Sequence, residues 1–283
     1  MSHLYQVQDF DVCDYELYAL PGITQLLRGP RPNNISASGR FVAFLGAAQT
    51  FGTLCRYPFP NLLSSMLGLE ALNLSFGGAG PRMFLRMPRC MELANRARCC
   101  VVQVLSGRSA ENSVMVNPFG TSVFRWRADS EGVEPRHAVV LYRELINRKS
   151  KAELAMLVQE TRDSWVTDFA ELANRITVPK VLLWLSVREP DYQISYSSVN
   201  RLFGAFPQLV DGATLSRVSG YFDRVVMCVS AGGLPAPLLN RFTGKRVQVQ
   251  RDLHLMKNNG YYPSQEMHMR AALALEPVIR SYV

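Results

Sequence analysis

Residues 41–52 read FVAFLGAAQTFG: five apolar residues without a charge, then Gly46, two alanines and a second glycine at Gly52. A short apolar run that stops at a glycine is the pattern of a strand buried on both faces, and such strands occur in parallel sheets covered by helices. Outward from this stretch the pattern repeats. Residues 59–67 have the character of a helix that Gly68 can end, ALNL at 71–74 is a second strand followed by FGGAGP, residues 81–97 make a helix, and CCVVQVL at 99–105 is a third strand. Strand, glycine-bearing loop and helix in alternation imply crossover connections on a parallel sheet. The expected fold class is therefore α/β, three-layer, with a mostly parallel sheet.

Further along, residues 150–175 carry Leu154, Leu157, Val158, Trp165, Phe169 and Leu172 at steps of mostly three and four. Ser150 and Glu153 stand at capping-box spacing, so this is the clearest helix of the chain. It leads into VLLWL at 181–185, a fourth strand, and residues 225–229 form a fifth. Ser264 is placed to cap a last helix with Met267, Ala271, Leu275 and Val278 on one stripe. Residues 1–39 are expected to be an extension docked on the core through Tyr15, Leu17, Tyr18, Leu20 and Ile23. Residues 40–283 then form a single domain, interrupted by an irregular insertion at 106–137 that has the length of a functional loop or lid.

Composition narrows the function classes. The 283 residues are 48% hydrophobic, enough for a large core, yet no apolar run is long enough to span a bilayer and no signal peptide is recognisable. A cytoplasmic location is expected. Six cysteines without CxxC spacing are expected to be reduced and buried, and no metal site is indicated. The net charge of +8, from 31 basic and 23 acidic residues, favours anionic partners. The basic residues are dispersed, so nucleic acid is not the expected partner.

Ligands of open α/β sheets lie beyond the carboxyl ends of the strands. That rule selects residues 46–52, 77–82, 106–112 and 186–191. Gly46, Gly52, Gly77 and Gly78 let backbone N–H groups approach an oxyanion or phosphate. Arg82, Arg108 and Arg188 each follow a predicted strand and can clamp a phosphate or carboxylate if they converge. Neither glycine loop is a P-loop or a dinucleotide fingerprint. Among the four histidines, His3, His137, His254 and His268, the last stands in the first turns of the final helix, where an imidazole would suit proton transfer.

GAAQTFG, NLSFGGAGP and YYPSQEMH, taken in this order, resemble the block pattern of the SGNH/GDSL hydrolases, an α/β superfamily of esterases, lipases, carbohydrate O-deacetylases and some acyltransferases. The resemblance covers residues 40–283 and implies an SGNH/flavodoxin-like sheet. Gly46, Thr50 and Gly52 fit the first block, but Ala47 and Ala48 stand where the superfamily has its aspartate and nucleophilic serine. A methyl group cannot form an acyl-enzyme. Gly77 or Gly78 matches the oxyanion glycine of the second block, and Asn112 stands displaced from the asparagine of the third. His268 matches the histidine of the last, where Gln265 replaces the aspartate three residues earlier. PFPNLLSSMLGLEALNLSFGGAGP and FPQLVDGATLSRV further resemble a family of bacterial proteins from polysaccharide-related settings.

Three functions follow as alternatives. The first is a transferase that passes an acyl group directly from a coenzyme A thioester to a carbohydrate or polysaccharide hydroxyl. His268 would serve as base, the glycines as oxyanion donors and the arginines as anchors for the donor phosphates; a sulfonucleotide donating a sulfuryl group is the variant of this reading. The second is an esterase with a relocated nucleophile, Thr50, Ser75 or Ser109. The third is a non-catalytic protein that binds glycan or supports its assembly, recognisable by a crevice that keeps polar contacts but has no histidine poised for proton transfer.

Overall fold

The computed structural model describes residues 8–33, 35, 38–130, 132–251 and 254–283. Strand β1 (Phe41–Gly46) leads through helix α1 (Ala48–Phe51) and α2 (Phe59–Leu67) to β2 (Glu70–Ser75), then through α3 (Pro81–Leu85) and α4 (Pro88–Arg96) to β3 (Cys100–Gln103). The segment after β3 holds three short strands, β4 (Met115–Val116), β5 (Val123–Trp126) and β6 (Arg136–His137), before α5 (Ala138–Arg148) and α6 (Lys151–Arg175). Strand β7 (Lys180–Ser186), α7 (Val199–Phe203), α8 (Gly212–Ser219) and β8 (Arg224–Val229) complete the main sheet. The short strands β9 (Ala236–Pro237), β10 (Val249–Arg251), β11 (His254–Met256) and β12 (Asn258–Asn259) precede the last helix, α9 (Gln265–Arg280).

The main sheet has the order β2-β1-β3-β7-β8, and every pair in it is parallel. Side chains alternate between its faces, as the two-residue repeat of a strand requires. Val42, Phe44, Val101, Leu183 and Leu185 pack under α2 and α9, through Phe59, Leu63, Met267, Ala271 and Leu275. Phe41, Ala43, Leu45, Val102, Leu182 and Trp184 meet Phe84, Leu93, Trp165, Phe169 and Val218 from α3, α4, α6 and α8. These are the three layers expected. The strand order reverses between β1 and β3, so the carboxyl ends of those two strands define the crevice of the fold.

Two expectations need correction. Residues 81–97 are not one helix: Pro88 has no N–H to donate and holds Met87 in a non-helical conformation (φ −115°, ψ 78°), so α3 ends and α4 begins afresh. Nor is 106–137 irregular throughout. Its strands form a three-stranded antiparallel sheet, with Met115 and Phe124 buried against Leu141, Tyr142 and Leu154. Buried Asn117 fixes the turn within it, accepting the N–H groups of Phe119, Gly120 and Thr121 on Oδ1 and donating Nδ2 to Ser109 O at 2.6 Å.

The long helix behaves as its sequence predicts: Ser150 accepts the Glu153 N–H while the Glu153 carboxylate accepts the Ser150 N–H. The N-terminal segment docks with Tyr15, Leu20, Ile23 and Leu27 buried, and Leu17 and Tyr18 half-buried. Its anchor is the buried Arg28, which donates to the carbonyls of Gly52, Cys55 and Arg56 at 2.9–3.1 Å. No helix among the described residues is long and apolar enough to cross a membrane.

Candidate functional site

Three loops meet beyond β1, β2 and β3. The Phe76 N–H donates to Gly46 O, and Asn73 Nδ2 donates to Thr50 O at 3.1 Å, which joins the first two loops. A methyl on Gly80 would collide with Ser109, which places the third loop against the second. The rim continues through Gln208, whose carbonyl accepts the Gly107 N–H and whose Nε2 donates to Tyr261 OH at 2.9 Å.

Under this crevice lies a buried amide that the sequence reading passed over. Gln103, the last residue of β3, accepts on Oε1 both the Ala47 N–H (3.1 Å) and the Thr50 hydroxyl (2.7 Å). Those two donors fix which end of the amide is oxygen. The Ala47 N–H at the start of α1 is therefore occupied, and Thr50 is 1% exposed with its hydroxyl proton already donated. Thr50 is thus corrected from candidate nucleophile to structural residue. Gly46 serves the same packing, because a side chain there would strike Thr50 and approach Gln103. Gly52 ends α1 in the left-handed region (φ 81°) with Pro58 against it.

The second loop is different. Phe76, Ala79 and Gly80 donate their N–H groups to Gly46, Phe76 and Gly120, while those of Gly77 and Gly78 make no hydrogen bond among the described residues. Gly77 is exposed with no atom near the place of a side chain. Gly78 has φ 75°, a conformation that favours glycine, with Ser122 alongside. These two N–H groups remain available as oxyanion donors.

His268 presents no base to the crevice in this arrangement. It is fully buried in α9, its ring stacks on Phe59 with centroids 6.0 Å apart, and its Nδ1 accepts the Phe59 N–H at 3.2 Å. A neutral imidazole that accepts on Nδ1 carries its proton on Nε2, so neither nitrogen offers a lone pair. Burial, reinforced by the nearby Arg28 charge, lowers its pKa to about 3. Gln265, where the superfamily has its aspartate, grips the backbone of Tyr57 from both sides: Oε1 accepts the Tyr57 N–H at 3.1 Å and Nε2 donates to Tyr57 O at 2.7 Å. The last block thus works as a clamp on the segment before α2.

The arginines do not converge. Arg82 bonds Asp168 in bidentate fashion (2.9 and 3.1 Å) and reaches Glu111 at 2.7 Å. Arg188 donates to the carbonyls of Glu189, Pro190, Ala205, Pro207 and Val210, and its guanidinium lies 4.2 Å from the Tyr192 ring centroid. Both are structural. Only Arg108 stays available: it is half-buried, 6.0 Å from the Phe203 ring centroid, with Nε unpartnered. Asn112 is buried and donates to Thr161 Oγ1 while accepting the N–H groups of Val114 and Met115, so it too is a packing residue. Ser109 donates to Ser106 O at 2.7 Å and is buried. His3 lies outside the described residues. All six cysteines are free and buried, and no metal-like cluster of His, Cys, Asp or Glu occurs among the described residues.

Residues 1–120 and 140–283 match one protein family, described as a domain of unknown function, DUF6473. No curated protein sequence matches the chain. Among solved structures it is similar to a family two carbohydrate esterase from Clostridium thermocellum in complex with cellohexaose, at 12% identity and a TM-score of 0.44, over 92% of this chain and 68% of that one. It is also similar to a catalytic mutant of an acetylxylan esterase from Geobacillus stearothermophilus, at 12% identity and 0.44, over 86% and 95%. A third is a protein from Slackia heliotrinireducens named as an SGNH hydrolase, at 14% and 0.40, over 84% and 98%. Each is a distant likeness of fold.

Proposed function

Since the chain belongs to DUF6473, a family that carries no assigned activity, we propose a function from the site itself: the crevice binds a carbohydrate without forming an acyl-enzyme. One observation carries this reading, the Phe59 N–H on His268 Nδ1, which removes the only histidine that the SGNH pattern supplies as a base. The polar groups that remain suit a hydroxyl-rich ligand. Gly77 and Gly78 offer N–H donors, Arg108 a cation, and Tyr261 an exposed ring whose hydroxyl is fixed by Gln208. The block resemblance supplies the substrate class.

The test is calorimetric titration of xylo- and cello-oligosaccharides into the wild-type protein and a Gly77→Val variant, which places two methyl groups in open space at the crevice wall. Saturable binding that the variant loses supports the reading. Absence of binding to every neutral oligosaccharide in the panel overturns it.

Arg108 favours a second reading, direct transfer to a sugar hydroxyl of an acyl group from a coenzyme A thioester, whose departing thiolate takes the hydroxyl proton, or of a sulfuryl group from a sulfonucleotide, whose departing phosphate takes it. Of Arg82, Arg108 and Arg188, it alone has a guanidinium that no carboxylate or cradle of carbonyls engages among the described residues. Binding of coenzyme A that Arg108→Ala weakens supports this reading, and equal binding by both proteins removes it.

A further inference from the structure

A groove of about 490 Å³ lies away from the crevice, between the N-terminal segment, the start of α2 and the loop that carries Arg241. That volume falls in the usual range for small-molecule sites. Its walls are held by defined contacts: Arg28 ties the N-terminal segment to the loop before α2, and Asn61 Nδ2 donates to Gly29 O at 3.2 Å. The Gln265 clamp fixes the backbone of Tyr57, whose ring is 50% exposed at the rim. The groove is therefore built before any ligand arrives.

Four guanidiniums, of Arg28, Arg31, Arg56 and Arg241, face it beside three carboxylates, of Asp14, Glu16 and Glu70, and the Tyr57 ring. Arg31 and Arg56 line it and have no acidic partner among the described residues, and Arg56 lies 5.2 Å from the Tyr57 ring centroid. Arg241 lies against both the Phe10 and Phe242 rings, 4.0 and 4.5 Å from their centroids, pairs with Asp14 at 3.2 Å, and keeps a buried Nε without a partner among the described residues. Asn61, Ser64 and Ser65 of α2 already donate to the carbonyls of Gly29, Leu69 and Asn61, so they and Glu16 add oxygen acceptors for ligand hydroxyls. A planar ring to stack on, several oxygen acceptors for hydroxyl groups and two guanidiniums that no carboxylate pairs among the described residues suit a ligand that is both polyhydroxylated and anionic.

We propose that this groove is a second ligand site, for an acidic saccharide whose carboxylates pair with Arg31 and Arg56 while a sugar ring lies on Tyr57. The saccharide class rests on the carbohydrate reading of the crevice; the site and its charge do not. The clamp then gives Gln265 a purpose, since holding Tyr57 by its backbone sets the stacking surface.

A galacturonate trimer and neutral cellotriose are titrated by calorimetry into wild type, the double variant Arg31→Glu/Arg56→Glu, and Gly77→Val, with circular dichroism confirming that each is folded. The galacturonate trimer is expected to bind wild type and Gly77→Val alike and to lose at least about tenfold in affinity in the double variant, where two attractive charges become repulsive. Cellotriose binding should not respond to the double variant. Galacturonate binding unchanged by the double variant, or absent from wild type, overturns the site. Equal competition by inorganic sulfate at matched ionic strength overturns its saccharide character. Failure of the crevice reading appears separately, as neutral-oligosaccharide binding that Gly77→Val leaves intact.

Discussion

Lowering the pH from 7 to 5 should destabilise this protein through His268 in a way that a His268→Phe variant does not share. The imidazole has a pKa of about 3 in the folded protein against an ordinary value of 6.5. Burial is the main cause. A histidine with a depressed folded pKa contributes its full stability above the unfolded pKa, and that contribution is lost as the pH falls toward the folded value, because the unfolded chain takes up the proton first. Linkage over this window gives a loss of about 2 kcal/mol between pH 7 and pH 5, rising to about 4 kcal/mol near pH 3. Urea unfolding of both proteins at the two pH values reads it as the difference in their pH dependence. The variant also leaves the Phe59 N–H without its acceptor, which lowers its stability by about 1–3 kcal/mol at every pH and cancels in that comparison. Equal pH dependence in the two proteins, or a His268 resonance titrating near 6.5 by NMR, would refute the reasoning.

Two further outcomes follow from the same contacts. Arg82→Ala strands the buried carboxylate of Asp168 and the half-buried one of Glu111 and should cost about 2–3 kcal/mol, seen as a lower urea midpoint; an unchanged midpoint would show that the triad contributes nothing net. Ala48→Ser puts a hydroxyl where the block resemblance would place a nucleophile but should yield no p-nitrophenyl acetate hydrolysis above the wild-type level, because no nitrogen of His268 is free to accept its proton. A burst of product from that variant would contradict the tautomer assigned here.

The parallel sheet was legible because its strands are short apolar runs bounded by glycine, and the capping residues Ser150 and Ser264 stood where the helices start. Pro88 carried the signal for the break between α3 and α4, and the alternation in SVFRW that for β5; in both cases a local rule was outweighed by a longer apparent pattern. The site was less legible because its decisive contacts join the backbone of one segment to a side chain far along the chain. Nothing in YYPSQEMH announces that His268 accepts the N–H of a residue 209 positions away, or that Arg188 is enclosed by carbonyls from the loop before α8. Gln103 did leave a trace. A lone amide within CCVVQVL, in a strand buried on both faces, must find partners, and it finds them in Ala47 and Thr50.

The central claim is that the crevice holds a carbohydrate and performs no acyl-enzyme chemistry there. Its most direct test is NMR of the isotope-labelled protein during titration with acetylated and plain xylo-oligosaccharides, following the Gly77 and Gly78 amides and, by mass spectrometry of the same samples, the protein itself. The account predicts that both amide resonances shift with saturation while the protein mass stays unchanged. Unmoved Gly77 and Gly78 resonances, or an acyl adduct mapping to Thr50, Ser75 or Ser109, would contradict it.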